Sequence, residues 1–128
     1  MKVSVLIDSH GWIEYFSEGP LAAKYAKFID LANKEEYFTP SIVLYEVYKK
    51  IKLLKDEDTA LKAFACMIAH TTIIPIGKKL AMKAADISLK TKLAMADSII
   101  KAVAEYKNAK IITGDKHFKG FENVVFIE

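Results

Sequence analysis

The chain has 128 residues, 52% hydrophobic and 27% charged, a balance that argues against disorder and bounds it to one domain over 1–128. Its longest uninterrupted apolar stretch, Ala63 to Ala69, is far short of the ~18 residues of a membrane helix. After Met1-Lys2 the apolar run Val3–Ile7 stops at Asp8, too early for a signal peptide. The single cysteine, Cys66, forms no internal disulfide and rules out a Cys-rich zinc site, so the expected compartment is the cytoplasm, with no membrane partner. The net charge is +3 and all 19 basic residues are lysine. Lysine offers point charges that suit a phosphate backbone, without the guanidinium fork that reads a base edge. The same lysine and glutamate bias also fits a hyperthermophilic or AT-rich source.

In chain order, Val3–Ile7 is an apolar, β-branched run that predicts a buried strand ending at Asp8. Trp12, Ile13 and Phe16 at helical spacing predict a helix over His10–Phe16, with Asp8 or Ser9 placed to cap it. Gly19-Pro20 breaks the chain, and Leu21, Tyr25, Phe28, Ile29 and Ala32 outline a second helix. Tyr37-Phe38 suits a short strand, and Thr39-Pro40 predicts a helix start, a hydroxyl cap followed by proline in the first turn. The third helix carries Val43, Leu44, Val47, Ile51 and Leu54 on one face; Asp56 opens a fourth, through Leu61, Phe64, Ala65 and Ile68. Thr71–Ile76 is the next strand, and Lys78 to Lys107 is helical in two pieces joined near Lys90–Leu93. Ala96, Ile99, Ile100 and Val103 face inward along the second piece, with Asn108 as its C-terminal cap. Ala109–Thr113 is a strand, Gly114–Gly120 a polar loop and Val124–Ile127 a last strand. Strands separated by helices call for an α/β fold: a three-layer α/β/α domain around a parallel sheet of four or five strands. The site of such a fold lies beyond the carboxyl ends of its strands.

Two acids stand at such ends, Asp8 after the first strand and Asp115 two residues after the fourth. Taken singly, the acids have ordinary explanations. Asp8 caps a helix, Glu46 pairs with Lys50, Asp97 lies in a first helical turn with Lys101 four residues on, and Asp115 is a turn residue. Taken jointly, they occupy positions that a doubly wound fold brings to one edge, Glu46 bordering the buried face of its helix. Four carboxylates within a few ångström stay ionised only if something positive joins them. Oxygen ligands select Mg²⁺ or Mn²⁺, one or two ions per site, and a two-ion carboxylate site activates water against a phosphodiester.

Val-Leu-Ile-Asp-Ser at 5–9, Ser-Ile-Val-Leu-Tyr-Glu-Val at 41–47, Ala-Asp-Ser-Ile-Ile-Lys-Ala at 96–102 and Ile-Ile-Thr-Gly-Asp-Lys-His-Phe at 111–118 resemble the four motifs of the PIN domain. The resemblance is nearest to the toxin ribonucleases of VapBC toxin–antitoxin pairs and runs from Val3 to Phe126. It implies a metal-dependent endoribonuclease, a homodimer inhibited by a cognate antitoxin. By motif match Asp8, Glu46, Asp97 and Asp115 would form the acidic quartet, with Asp8 and Asp97 the direct metal ligands and Ser9 and Thr113 in supporting hydroxyl positions. Two departures stand out: His117 replaces the second acid of many relatives, and Leu93-Ala94-Met95-Ala96 replaces a glycine or proline before the Asp97 position.

His10 and His117 lie close to proposed ligands and would pull the site towards Mn²⁺ or Zn²⁺; as loop histidines they are otherwise plain surface residues, His117 being kept as an RNA contact. Lys116 and Lys119 near Asp115, and Lys49 near Glu46, suit a phosphate backbone or simply a solvated face. Tyr45 and Tyr48 suit a base stack or a subunit contact. Two rivals remain: the same fold as a catalytically inactive RNA- or protein-binding module, and a receiver-like phosphoacceptor domain, which normally carries paired acids after the first strand where this chain has Asp8-Ser9-His10.

Overall fold

Residues 3–128 are described by a computed structural model; Met1 and Lys2, which open the segment read as too short for a signal peptide, lie outside the described residues. The described residues form five strands with helices inserted in pairs: β1 (Ser4–Ile7), α1 (Ser9–Ser17), α2 (Ala22–Ile29), β2 (Phe38–Pro40), α3 (Ser41–Leu54), α4 (Glu57–His70), β3 (Thr72–Ile74), α5 (Lys78–Thr91), α6 (Met95–Lys107), β4 (Ala109–Thr113) and β5 (Val124–Phe126). A 3₁₀ turn, Lys116–Phe118, lies between β4 and β5.

All the strand pairings are parallel. β1, β4 and β5 form a three-stranded sheet in the order β1-β4-β5, with Ile7 opposite Ile112 and Thr113 opposite Phe126. β2 and β3 form a separate pair, joined to β1 by the single bridge between Val5 and Tyr37 and the hydrogen bond from Val5 N to Glu36 O at 2.7 Å. The five strands thus run β3-β2-β1-β4-β5, ordered across the middle by one ladder rung. α1 to α4 pack on one another, α5 pairs with α6, and α6 lies against β1, β2 and β4, giving the three-layer α/β/α arrangement. The strands β1 and β4, covered on both sides, need apolar side chains throughout, and Leu6, Ile7, Ile111 and Ile112 are buried.

The caps follow from local chemistry. Asp8 caps α1 by accepting from Ser9 N, and Asp56 caps α4 by accepting from Thr59 N at 2.7 Å. Asn108 ends α6 in the left-handed conformation (φ 51°), which asparagine tolerates better than most residues. α5 ends at Lys92, also left-handed (φ 67°), and this break lets α6 start afresh two residues before Asp97.

Three expectations are corrected. Thr39-Pro40 does not open a helix: both residues end β2, and the Thr39 hydroxyl is buried against that of Thr71 at 2.7 Å, so the polar side chain is satisfied across the strand pair instead of at a cap. α4 turns Ala60, Ala63 and Met67 inward, while Leu61, Phe64, Ala65 and Ile68 are exposed. Small residues let α3 and α4 approach closely, so the bulkier stripe is left outside. Leu54 is exposed at the end of α3 for the same reason of facing, while Val43, Val47 and Ile51 are buried.

Candidate active site

The carboxyl edge of β1 and β4 assembles the acids. Asp8 follows β1 and is buried at 3% exposure; its Oδ1 accepts from Ser9 N at 2.7 Å and from Ser9 Oγ at 3.4 Å. Its Oδ2 accepts from Thr113 Oγ1, the last residue of β4, at 2.7 Å. Thr113 Oγ1 in turn accepts from Asp115 N at 2.9 Å, so one buried hydroxyl ties the first acid to the fourth. Both supporting positions, Ser9 and Thr113, touch Asp8.

Asp97 is the third residue of α6, where the exposed amides of a first turn favour a carboxylate. Its Oδ2 lies 3.5 Å from His117 Nδ1, which lies 3.0 Å from Asp115 Oδ1. Asp115 Oδ1 also accepts from His117 N at 2.9 Å and so caps the 3₁₀ turn. Glu46 projects from the second turn of α3 into the same charge field as Asp8 and Asp115. The surface ion pairs that would have explained these acids are replaced by other contacts: Lys101 pairs with Glu105 at 3.2 Å, and Glu46 Oε1 is buried without a hydrogen-bond partner.

The electrostatics record the crowding. Burial pushes the Asp8 carboxyl above its ordinary value, Thr113 and Ser9 pull it back, and Asp115 pushes it further. Burial also raises Glu46, opposed by a hydrogen bond from Ser9 and assisted by the charges of Asp8 and Asp115. Asp97 is pushed up to about 7, by burial first and then by Asp115 and Asp8, with His117 opposing. Three carboxyls are raised together, by burial first and by one another's charge second. An orphaned buried oxygen and a donor set of carboxylates fit a divalent cation. Asp97, Asp115 and His117 each offer a ligand atom within 4.8 Å of the others, the cluster of this kind among the described residues.

The remaining candidates divide. Lys116 is exposed on the 3₁₀ turn beside Asp115. Lys119 is exposed with its ammonium 5.0 Å from the Phe126 ring centre, and Lys49, about one helical turn past Glu46, is 3.2 Å from the Tyr45 hydroxyl. His10 is not a free surface residue: its Nδ1 lies 2.8 Å from the hydroxyl of Tyr25, whose side chain is fully buried. That hydroxyl also engages the Gly114 backbone, next to Asp115, a contact that no sequence spacing signals.

A profile of the PIN domain family matches residues 5–124. This chain belongs to the PIN domain family. Its fold is shared with a toxin–antitoxin complex from Klebsiella pneumoniae (TM-score 0.77, 24% identity, covering 95% of this chain and 96% of that one). It is shared equally with the sarcin–ricin loop cleaving toxin VapC20 from Mycobacterium tuberculosis (TM-score 0.77, 15% identity, 94% and 98% covered). VapBC2 from Rickettsia felis, bound to a DNA fragment from its promoter, aligns with a TM-score of 0.71 at 15% identity over 97% of each chain. No curated protein matches the sequence. Of the four acids, Asp8 and Asp115 follow strands β1 and β4, Glu46 lies on the helix after β2 and Asp97 in the first turn of α6. α6 starts from Ala94 without a side-chain cap, and Ser98 Oγ donates back to Ala94 O at 2.9 Å and Leu93 O at 3.1 Å.

Proposed function

We propose that this PIN-domain protein is a metal-dependent endoribonuclease, hydrolysing RNA phosphodiester bonds as the toxin of a toxin–antitoxin pair. The observation that carries the reading is the gathering of Asp8, Glu46, Asp97 and Asp115 at one sheet edge, with Glu46 Oε1 buried and unpartnered. Acids so placed call for positive charge, and oxygen donors suit Mg²⁺ or Mn²⁺, one or two ions per site. Such an ion, when bound, lowers the pKa of water and neutralises charge on phosphate oxygens.

The protein's own part is positioning. Asp8 and Asp97 are the proposed direct ligands, Asp8 fixed in orientation by Thr113 and Ser9. Glu46 and Asp115 complete or orient the ligand shell, Glu46 Oε1 having no hydrogen bond to surrender. Lys116, Lys119 and Lys49, with His117, are the proposed contacts to the RNA backbone. An RNA substrate puts the activity in the cytoplasm.

Partners are part of the proposal: a cognate antitoxin, supported by the likeness to toxin–antitoxin complexes, and a second copy of the chain. Exposed apolar surface supports both. Leu44, Tyr45, Tyr48, Leu53 and Phe64 line a groove of about 580 Å³ on α3 and α4, and Met82, Leu89 and Met95 are exposed on α5 and α6.

Cleavage of a mixed RNA by wild type and Asp97→Asn, each with Mg²⁺, Mn²⁺ or EDTA, tests the reading. Cutting by the wild type only with metal, and none by the variant, is the expected result. RNA binding without cutting under any condition overturns it in favour of the inactive binding module.

A further inference from the structure

We propose that His117, instead of contacting RNA, is a direct nitrogen ligand of the ion, and that it biases the site towards Mn²⁺ over Mg²⁺. The proposal rests on the metal-dependent reading above and names the ion that reading leaves open. Three groups from two elements converge: Asp97 from the first turn of α6, and Asp115 and His117 from the turn after β4. His117 Nδ1 lies 3.0 Å from Asp115 Oδ1 and 3.5 Å from Asp97 Oδ2. All three ligand atoms fall within 4.8 Å of one another, so one ion at their centre would reach each after small side-chain adjustments.

The ring does not owe this position to a floppy loop. His117 N donates to Asp115 Oδ1 at 2.9 Å, Phe118 N donates to Asp115 O at 3.1 Å, and Phe118 is fully buried. The 3₁₀ turn is therefore pinned on both sides of residue 117, and Nδ1 points at the acids while the side chain remains 75% exposed. The two carboxylates orient that nitrogen as an ion-pair partner, and the same geometry presents Nδ1 to an ion placed between them. Glu46, half-buried in the field of Asp8 and Asp115, leaves its Oε1 without a hydrogen-bond partner.

The donor set then chooses the ion. Mg²⁺ is hard, holds its waters tightly and prefers an all-oxygen octahedron. Adding an imidazole to the carboxylate ligands raises affinity for first-row transition ions relative to Mg²⁺, for Zn²⁺ more strongly than for Mn²⁺, and Mn²⁺ is the one of the two proposed ions that gains.

The test loads the full chain with one equivalent of Mn²⁺ and records electron spin echo envelope modulation, with Mn²⁺ and Mg²⁺ affinities measured by calorimetry. Wild type, His117→Ala and His117→Asp are compared, their melting temperatures confirming that each is folded. The wild type is expected to give a nitrogen coupling that His117→Ala loses. That variant is expected to bind Mn²⁺ about tenfold or more weakly, and Mg²⁺ less than about threefold more weakly. His117→Asp should bind both ions without nitrogen coupling and shift preference to Mg²⁺. If bound Mn²⁺ shows no nitrogen coupling, or if His117→Ala leaves its affinity unchanged, His117 is not a ligand and the metal-dependent reading stands without it. If the wild type binds neither ion and cuts RNA in EDTA, that underlying reading fails and this proposal fails with it.

Discussion

Thr113 Oγ1 donates to Asp8 Oδ2 at 2.7 Å, from the end of one buried strand to the residue just past its neighbour. Both groups are buried, and the same oxygen accepts the Asp115 amide, so a single hydroxyl orients two acids. Thr113→Val keeps the shape and removes the hydroxyl. It leaves a buried carboxylate oxygen without its donor, at a cost of about 1–3 kcal/mol when Asp8 is ionised. The expected outcome is a fall in divalent-ion affinity and in cleavage rate of about tenfold or more, with a lower melting temperature at neutral pH. Thr113→Ser, which restores the hydroxyl, should recover most of the metal affinity.

Asp97 makes the stability of the metal-free protein fall as pH rises. A carboxyl whose folded-state pKa is raised binds its proton more tightly when folded, so the stability it contributes is complete below its ordinary value of 3.8 and is lost as pH rises through about 7. Asp8 and Glu46 are raised too and act with the same sign. In EDTA the melting temperature should therefore drop between about pH 5 and about pH 7.5. Asp97→Asn should flatten that slope and raise the metal-free melting temperature at the upper end by about 3–8 °C, for a gain on the order of 1–2 kcal/mol. Added Mn²⁺ should stabilise the wild type and leave Asp97→Asn nearly unmoved. A wild-type curve that is flat in EDTA would show that burial and the neighbouring acids do not raise the Asp97 carboxyl.

Much of the fold and of the acidic cluster was legible in the sequence because two of the acids stand where strong secondary-structure signals end. Asp8 and Asp115 are conspicuous because each interrupts or follows an apolar run that can only be a buried strand, and the fold places such interruptions at one edge. The faces of α4 were not legible. That helix carries two apolar stripes, Ala60, Ala63 and Met67 on one side and Leu61, Phe64 and Ile68 on the other, and periodicity alone does not say which stripe faces the core. Thr39-Pro40 misled for a different reason: the residues that start helices also end strands, and here the Thr39 hydroxyl bonds to Thr71, 32 residues away. His10 and His117 look alike in sequence, each two residues past an acid. Only the fold gives one a tyrosine and the other a pair of carboxylates.

Tyr25 holds the Asp115 turn from below. Its hydroxyl lies 2.8 Å from His10 Nδ1, and a Cβ added to Gly114 would come within 3.0 Å of that hydroxyl and 3.1 Å of the His10 ring. Gly114→Ala should thus push the turn outward, costing about 1–2 kcal/mol of stability and weakening metal binding through Asp115. Removing the hydroxyl relieves the closest contact, so Gly114→Ala in a Tyr25→Phe background should cost less than in wild type. Measuring both single variants and the double variant by denaturant unfolding gives the coupling directly; strictly additive costs would sever the link between Tyr25 and the turn.

The lysines differ in how free they are to meet RNA. Lys116 is exposed on the turn that carries Asp115 and His117, whereas Lys119 rests over Phe126 and Lys49 over Tyr45. A phosphate contact by Lys116 releases counterions from the RNA, which makes affinity depend on salt. Lys116→Ala should therefore raise the Kd of the Asp97→Asn protein for single-stranded RNA and reduce the slope of log K against log salt by about 0.7, without changing the melting temperature. Binding is measured in the Asp97→Asn background so that the RNA stays intact. Lys119→Ala should lower stability slightly as well, because it removes a packed ammonium and stem from the Phe126 ring. An unchanged salt slope in Lys116→Ala would place the RNA path on another side of the acidic cluster, away from the 3₁₀ turn.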